Sequence, residues 1–516
     1  MNDRTAPPTL IQNTSLGKDQ FHVEPTGYYI EELKLFPAAV KFPSNEGVEV
    51  KGLDIRGQAQ SIIITEGIKQ NAIHVSIGMI DAVGILDTLR IQGGEKINLD
   101  IYQNVKQTEM FGSIYENFKK PIKLELYISD IKNFEKPKID TQTYIIECVT
   151  KPAYINQLTV LNKEFEGVPA QLIKDIVEGP LEIEDAKNPL VEENNNFAPN
   201  YLSQKEMGKV GRSPKAIKAA QGYGKSIKGI YPKLRPFNAI NWLLRNANDN
   251  GSPVFFFQSL LYGYQLLSWE DFLYRPDPYD ATFEPYSNSP LDEHSIKLTV
   301  NDPEYYDSKR RNIISIRSTL GFSKYNDARK GAYASKLTAV DLSTKNYKSG
   351  NTGKVYDYKE DQMVKLNKYK PFSTKPEFND GSFEKNKNSR NFFVNENKHA
   401  FSSNKRNYHS TLDLEAIQKK ESYLANMNML THNIEIPGDP LLTAGSKIEL
   451  KIWKIQDWNQ PIEKIPEAQE KGDELMSGNF VIKQIHHKFQ PSGYTMDCEL
   501  IKDSSLVDFD EELTLK

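Results

Sequence analysis

The chain has 516 residues, 38% of them hydrophobic and 26% charged, which suits a globular protein of about two to four domains with buried cores. A formal net charge of -4 gives no overall pull toward nucleic acid or anionic membrane, so any such contact has to be local. Only two cysteines occur, Cys148 and Cys498; each lies in strand-like alternation, which argues against a disulfide scaffold and fits small buried hydrophobes in a reducing compartment.

Residues 1–20 are polar and proline-containing and read as a flexible tail. They lack the charged-then-apolar pattern of a signal peptide, and no run of 18 apolar residues occurs in the chain, so a soluble protein without stable membrane insertion is expected. Residues 21–143 read as a first β domain, with clear strands from about 50 to 130. Ile73, Val75 and Ile77 alternate with His74 and Ser76; Ile97, Leu99 and Ile101 follow Gly93-Gly94; Ile122, Leu124, Leu126 and Ile128 alternate with Lys123, Glu125 and Tyr127. One apolar and one polar face per strand is the pattern of an antiparallel barrel or sandwich.

Between 144 and 300 the period changes. Val168, Leu172, Ile173, Ile176 and Val177 form a helical stripe, with Pro169 suited to its first turn and Gly179 to its stop. A charged loop follows over 178–235, acidic at first, then basic through Lys205, Lys209, Arg212, Lys215, Lys218, Lys225, Lys228, Lys233 and Arg235. Phe237, Ile240, Leu243, Leu244 and Ala247 make a second helix ended by Gly251 and Pro253, "VFFFQ" and "YQLLS" form a hairpin, and Ser268 with Asp271 caps a short helix.

Residues 301–342 read as strands returning to a second β domain, and 343–410, rich in Lys, Asn, Ser and Tyr, as a surface insertion. Over 411–505, Leu414, Ile417 and Leu424 suggest a helix, Leu430, His432, Ile434 and Ile436 a strand, and Ile448, Leu450 and Ile452 another. The stretch "SGNFVIKQIHHKFQPSGYTMDCEL" closes the set as a hairpin. Successive strand side chains point to opposite faces, so the adjacent His486 and His487 are ladder residues rather than a shared metal site. Residues 506–516 form a C-terminal tail, and no period of 20–50 residues repeats.

Chemical motifs are scarce. "QGYGKS", Gln221–Ser226, lacks the first glycine of a phosphate loop, since position 219 is Ala219. Asp292, Glu293 and His294 are adjacent, which is poor ligand spacing. No nucleophile elbow, zinc-hydrolase helix or paired CxxC occurs, so no catalytic, cofactor-binding or metal-binding residue is assigned, no cofactor is expected and the chain is not read as an enzyme. A glycosidase carboxylate pair is the enzymatic alternative, though no pair stands out among the 69 acidic residues. The basic stretch within 205–235 is the nucleic-acid alternative.

Taken in order, several segments resemble the central baseplate hub family of contractile-tailed bacteriophages. They are "SIIITEGI…NAIHVSIGMIDAVGILDTLRIQGGEKINLDI", "YIIECVTKPAYINQ", "KEFEGVPAQLIKDIV", "FNAINWLLRNANDNGSPVFFFQSLLYGYQLLSW", "GAYASKLTAVDLSTKNY" and "IPGDPLLTAGSKIELKI" with "SGNFVIKQIHHKF". The resemblance implies an α+β, mainly β fold with two tube-like antiparallel β-barrel domains, a smaller α/β subdomain and surface insertions. It further implies a virion component assembled in the host bacterial cytoplasm: a homotrimeric ring between a tail tube protein and a central spike protein, touching baseplate wedge or tape-measure proteins, with transient passage of viral DNA. Strand residues Lys123, Glu125, Lys447, Glu449 and Lys451 are then solvent- or lumen-facing candidates. The related alternative is a type VI secretion spike component. The stretch through "ELIKDSSLVDFDEELTLK" has none of the β-helical repeats that such a spike carries, which favours a hub working with a separate spike chain.

Overall fold

The computed structural model describes residues 27–37, 52–103, 122–183, 223–224, 226–273, 282–285, 312–320, 324–332, 334–341, 346–348, 355–357, 365–369, 390–395, 414–428, 430–440, 442–452 and 473–508. The protein is α+β and mainly β, with antiparallel pairing dominant.

Strands β1 (Tyr28–Phe36), β2 (Leu53–Asp54), β3 (Ala59–Gly67) and β4 (His74–Asp81) lead to a short helix α1 (Ile85–Leu89) and to β5 (Lys96–Gln103), β6 (Ile122–Lys138) and β7 (Thr141–Thr150). The middle of the chain forms α2 (Lys151–Leu158), β8 (Glu164–Gly167), α3 (Pro169–Glu178), β9 (Ile227–Ile230), α4 (Pro236–Asn246), β10 (Asn248–Asp249), β11 (Ser252–Ser259), β12 (Gly263–Ser268) and α5 (Trp269–Leu273). There follow β13 (Thr282–Pro285), β14 (Asn312–Ile313), β15 (Ser315–Leu320), α6 (Lys324–Lys330), β16 (Ala334–Asp341), β17 (Asn346–Lys348), β18 (Val355–Asp357) and β19 (Asn391–Asn395). The last part comprises α7 (Leu414–Asn426), β20 (Leu430–Pro437), β21 (Lys447–Leu450), β22 (Gly478–Gln490) and β23 (Gly493–Lys502).

Among the described residues fourteen strands share one sheet, in which β3 from the first part of the chain pairs with β22 from the last. The alternation read in the sequence is the burial pattern observed: Val75, Ile77 and Met79 of β4 are buried while Ser76 and Gly78 are half-buried. A single apolar core runs under both strand sets, from Leu33, Ile64, Ile97 and Leu126 to Ile434, Phe480, Phe489 and Met496. Each such side chain contributes about 1.5–3 kcal/mol of burial, so this shared core fixes the two sets relative to one another. Strand β7 runs across position 143, where the sequence suggests a domain boundary.

The hairpin β11–β12 explains its own unbroken apolar run. Val254, Phe256 and Leu266 face a core made with α3 and α4, while Phe255, Phe257 and Leu267 face a second core made with Trp269, Tyr423, Val481 and Ile501. A strand covered on both sides has no polar face to alternate with. Ser268 and Asp271 form the expected cap reciprocally: the Ser268 amide donates to the Asp271 carboxylate at 2.8 Å and the Asp271 amide to Ser268 Oγ at 3.2 Å. Pro169 starts α3 and Gly179 ends it, as read.

Two readings need correction. Helix α4 stops at Asn246, with Ala247 already extended, and Gly251 at φ 90° serves the turn between β10 and β11 instead. The stop is supplied from elsewhere: Nζ of Lys420 on α7 donates to the carbonyls of Leu244, Arg245 and Ala247 at 2.7, 3.1 and 2.9 Å. Strand β16, inside the segment expected to return to the second barrel, leaves the large sheet and joins β17, β18 and β19 in a separate four-stranded sheet. Its buried Ser335 is held by Gln418 of α7, which donates to the Ser335 carbonyl at 2.9 Å. Three short strands of that sheet lie inside the span 343–410. No helix among the described residues is long and apolar enough to cross a membrane.

Candidate functional site

The large sheet contains one five-stranded unit twice. Strands β3, β4, β5, β6 and β7 lie in the order β3-β4-β7-β6-β5; strands β15, β20, β21, β22 and β23 lie in the order β15-β20-β23-β22-β21. Both are antiparallel throughout, and in both the last two strands form a hairpin that inserts between the second and third. Registers correspond as well. One row runs Ile64, Val75, Cys148, Ile128 in the first unit, and its counterpart runs Ile316, Ile434, Cys498, Ile485 in the second.

The duplication is written in the sequence at long range. "GGEKINL" (93–99) matches "AGSKIEL" (444–450), and "YIIEC" (144–148) matches "YTMDC" (494–498), each pair about 350 residues apart. The two cysteines are therefore equivalent positions, both buried, and burial pushes both thiols well above the ordinary range. In the first unit Glu95 closes the glycine turn by accepting from the amides of Gln92 and Gly93 at 2.8 and 2.9 Å, and Gly94, at φ 87°, has no room for a Cβ beneath the Tyr154 hydroxyl.

The units meet where β3 pairs with the second half of β22, with Thr65 opposite His486 and Ile64 opposite His487. The two histidines face opposite sides of the strand, as read. His486 Nδ1 lies 2.9 Å from Thr65 Oγ1 on the outer face. His487 is fully buried, with Nδ1 2.8 Å from the Tyr494 hydroxyl and Nε2 3.5 Å from Glu66 Oε1. Burial lowers the His486 imidazole below its ordinary range and raises the Tyr494 hydroxyl well above its own.

Glu66 is the hub of this joint. Its fully buried carboxylate accepts from the Leu260 amide at 2.6 Å, the Ala444 amide at 2.8 Å and Thr443 Oγ1 at 3.0 Å. It thus ties β3 to the turn after β11 and to the loop before β21. Three donors on one buried carboxylate offset its loss of hydration. Glu66 falls in the inward-facing phase of β3 with Ile62 and Ile64, and that carboxylate at an apolar-face position is the one local signal of its role in the sequence.

The remaining sequence candidates fall elsewhere. Lys123, Glu125 and Glu449 are exposed and Lys447 and Lys451 half-buried on the sheet's outer surface. Lys123 pairs with Asp100 at 3.2 Å and Glu125 with Lys96 at 2.6 Å. Of the basic stretch, Lys205, Lys209, Arg212, Lys215, Lys218 and Lys225 lie outside the described residues, as do Gln221 and the Asp292, Glu293, His294 triplet; Lys228 pairs with Glu166 at 2.6 Å, and Arg235 hydrogen-bonds Gln157. Tyr223 of "QGYGKS" is buried and donates to Asp271 at 2.9 Å, a packing role. Among the described residues no group of three or more His, Cys, Asp or Glu is placed to hold a metal ion.

No protein-family model matches the chain, and no curated protein sequence matches it. Solved structures do. The chain is similar to the 43 kDa tail protein of prophage MuSo2 from Shewanella oneidensis, at 12% identity and TM-score 0.44, covering 93% of this chain and 100% of that one. It is similar to a tail protein from Neisseria meningitidis MC58, at 11% identity and TM-score 0.43, covering 92% and 97%. It is also similar to an E. coli type VI secretion component, at 8% identity and TM-score 0.34, covering 93% and 79%. These are tail proteins and a type VI secretion component, and at such identities the roles of those proteins stay theirs.

Proposed function

We propose that this chain is a structural hub of a contractile tail, three copies of which form a ring between a tail tube and a central spike. The observation that carries this reading is the duplicated unit. A tube of six-fold symmetry and a spike of three-fold symmetry need an adaptor with both. Three chains, each with two equivalent five-stranded units, offer six similar surfaces to one partner and three identical ones to the other. The edge pairing of β3 with β22 and the common core beneath it join the two units within a chain, which suits an adaptor that bears contraction force.

The partners on this reading are two further copies, a tail tube protein, a spike protein and baseplate wedge or tape-measure proteins, with viral DNA passing through the ring. A lining that lets DNA slide has to avoid unpaired cations. Where β5 and β6 pair, Lys96 and Lys123 are matched by Glu125 and Asp100, which suits that demand.

The test is light scattering on the purified chain, alone and mixed with a tail tube protein and a spike protein from the same source. A three-chain mass that gains mass with both proteins supports the hub. A single-chain mass in every mixture contradicts it.

A further inference from the structure

The duplicated unit contains its own template for how one copy of the chain meets the next. Resting on the ring reading above, we propose that β15 of one protomer adds antiparallel to the outer edge of β6 of its neighbour, in the register by which β3 meets β22 inside each chain. In that internal joint the first strand of one unit pairs with the fourth strand of the other. The corresponding first strand of the second unit is β15, and the corresponding fourth strand of the first unit is β6. Both present an open edge among the described residues: β15 pairs only with β20, and β5 with the Gly94–Glu95 turn before it covers β6 no further than Ile128.

The register follows from the cross-strand rows. Ile64 corresponds to Ile316 and Thr65 to Arg317; Asp130 opposes Glu147 as His486 opposes Asp497, and Ile131 opposes Ile146 as His487 opposes Met496. Transposing the internal pairs Thr65 with His486 and Ile64 with His487 therefore sets Arg317 opposite Asp130 and Ile316 opposite Ile131. The polar pair of the internal joint becomes a pair of opposite charge, and the buried pair becomes an apolar one. Both charged residues are exposed in the single chain, and both isoleucines are half-buried.

A third pair accounts for two misplaced hydrophobes. Ile62 meets Phe489 in the internal joint. Their counterparts are Ile314, 53% exposed, and Phe134, 52% exposed. Phe134 reaches the matching row through a bulge: the register with β7 slips between Lys132 and Glu135, and Asn133 adopts φ 53°. Pro137 further along β6 withholds an amide, as strands near a sheet edge commonly do. A contact of one edge type with a different edge type is head-to-tail, and such contacts close rings when the rotation allows.

The experiment is disulfide trapping in the full chain. Residues directly opposite in an antiparallel pair sit about 4.5–5.5 Å apart at Cα, within the range a disulfide spans. The double variant Asp130→Cys with Arg317→Cys is expected to form inter-chain disulfides on mild oxidation, giving two- and three-chain bands on non-reducing gels that collapse to one band on reduction. The out-of-register pair Glu135→Cys with Arg317→Cys and each single variant are expected to give none. In parallel, Asp130→Arg alone is expected to lose the three-chain species by light scattering, and Asp130→Arg with Arg317→Asp to recover it. Three-chain particles in which the in-register pair fails to link, or links no better than the out-of-register pair, overturn this joint while leaving the ring standing. Single chains with no linking overturn both.

Discussion

Glu66 in the third strand accepts a 2.8 Å hydrogen bond from the amide of Ala444, across 378 residues of chain, and the same carboxylate takes the Leu260 amide from the middle of the sequence. Three distant parts of the protein are fastened at one buried group. Replacing Glu66 with Ala leaves two amides and a hydroxyl without their acceptor, and the expected loss is about 3 kcal/mol or more. Glu66→Gln, which keeps one acceptor oxygen, is expected to lose less. Denaturant midpoints at unchanged slope measure both, and equal stability of Glu66→Ala and the parent would contradict the fastening role.

Lys420 joins α7 to the C-terminal end of α4 by donating to three carbonyls. Burial lowers its ammonium to about 8. Lys420→Met keeps the length of the side chain but not the donors, and a loss of about 1–3 kcal/mol is expected, with hydrogen exchange speeding up first in the last turn of α4.

His432 is fully buried, with Nδ1 2.7 Å from Ser318 Oγ and Nε2 3.0 Å from the Met476 carbonyl. Burial lowers its imidazole from 6.5 to about 4. Between those values the unfolded chain binds a proton that the folded chain refuses, so stability falls as pH drops from 6.5 toward 4 and this contribution levels off below. The shift corresponds to about 3 kcal/mol. Unfolding free energies of the parent and His432→Gln, measured across that window, are expected to converge at the acid end; a constant gap would contradict the assignment.

The strands were legible because a sheet with one wet face writes its period into the sequence, as in β4, β20 and β23. The α3 boundaries and the Ser268–Asp271 cap were legible for the same local reason. The joint was not. Strand β3 and strand β22 pair at more than 400 residues' separation, and nothing within either strand names its partner. Helix α4 ends where a lysine from α7 reaches it, which the α4 sequence does not record. The duplication was readable in principle from "YIIEC" and "YTMDC", but a repeat about 350 residues long with a loop of different length before β21 lies beyond any short-period pattern. Glu66 was hidden because its role depends on two loops arriving from elsewhere.

Electron microscopy of the purified particle, classified without imposed symmetry, separates a hub ring from any other assembly of the chain. A hub is expected to give a three-fold ring with an open centre and a rim of six similar lobes, two from each chain. Particles of one chain, or closed two-fold dimers lacking a central opening, would contradict it.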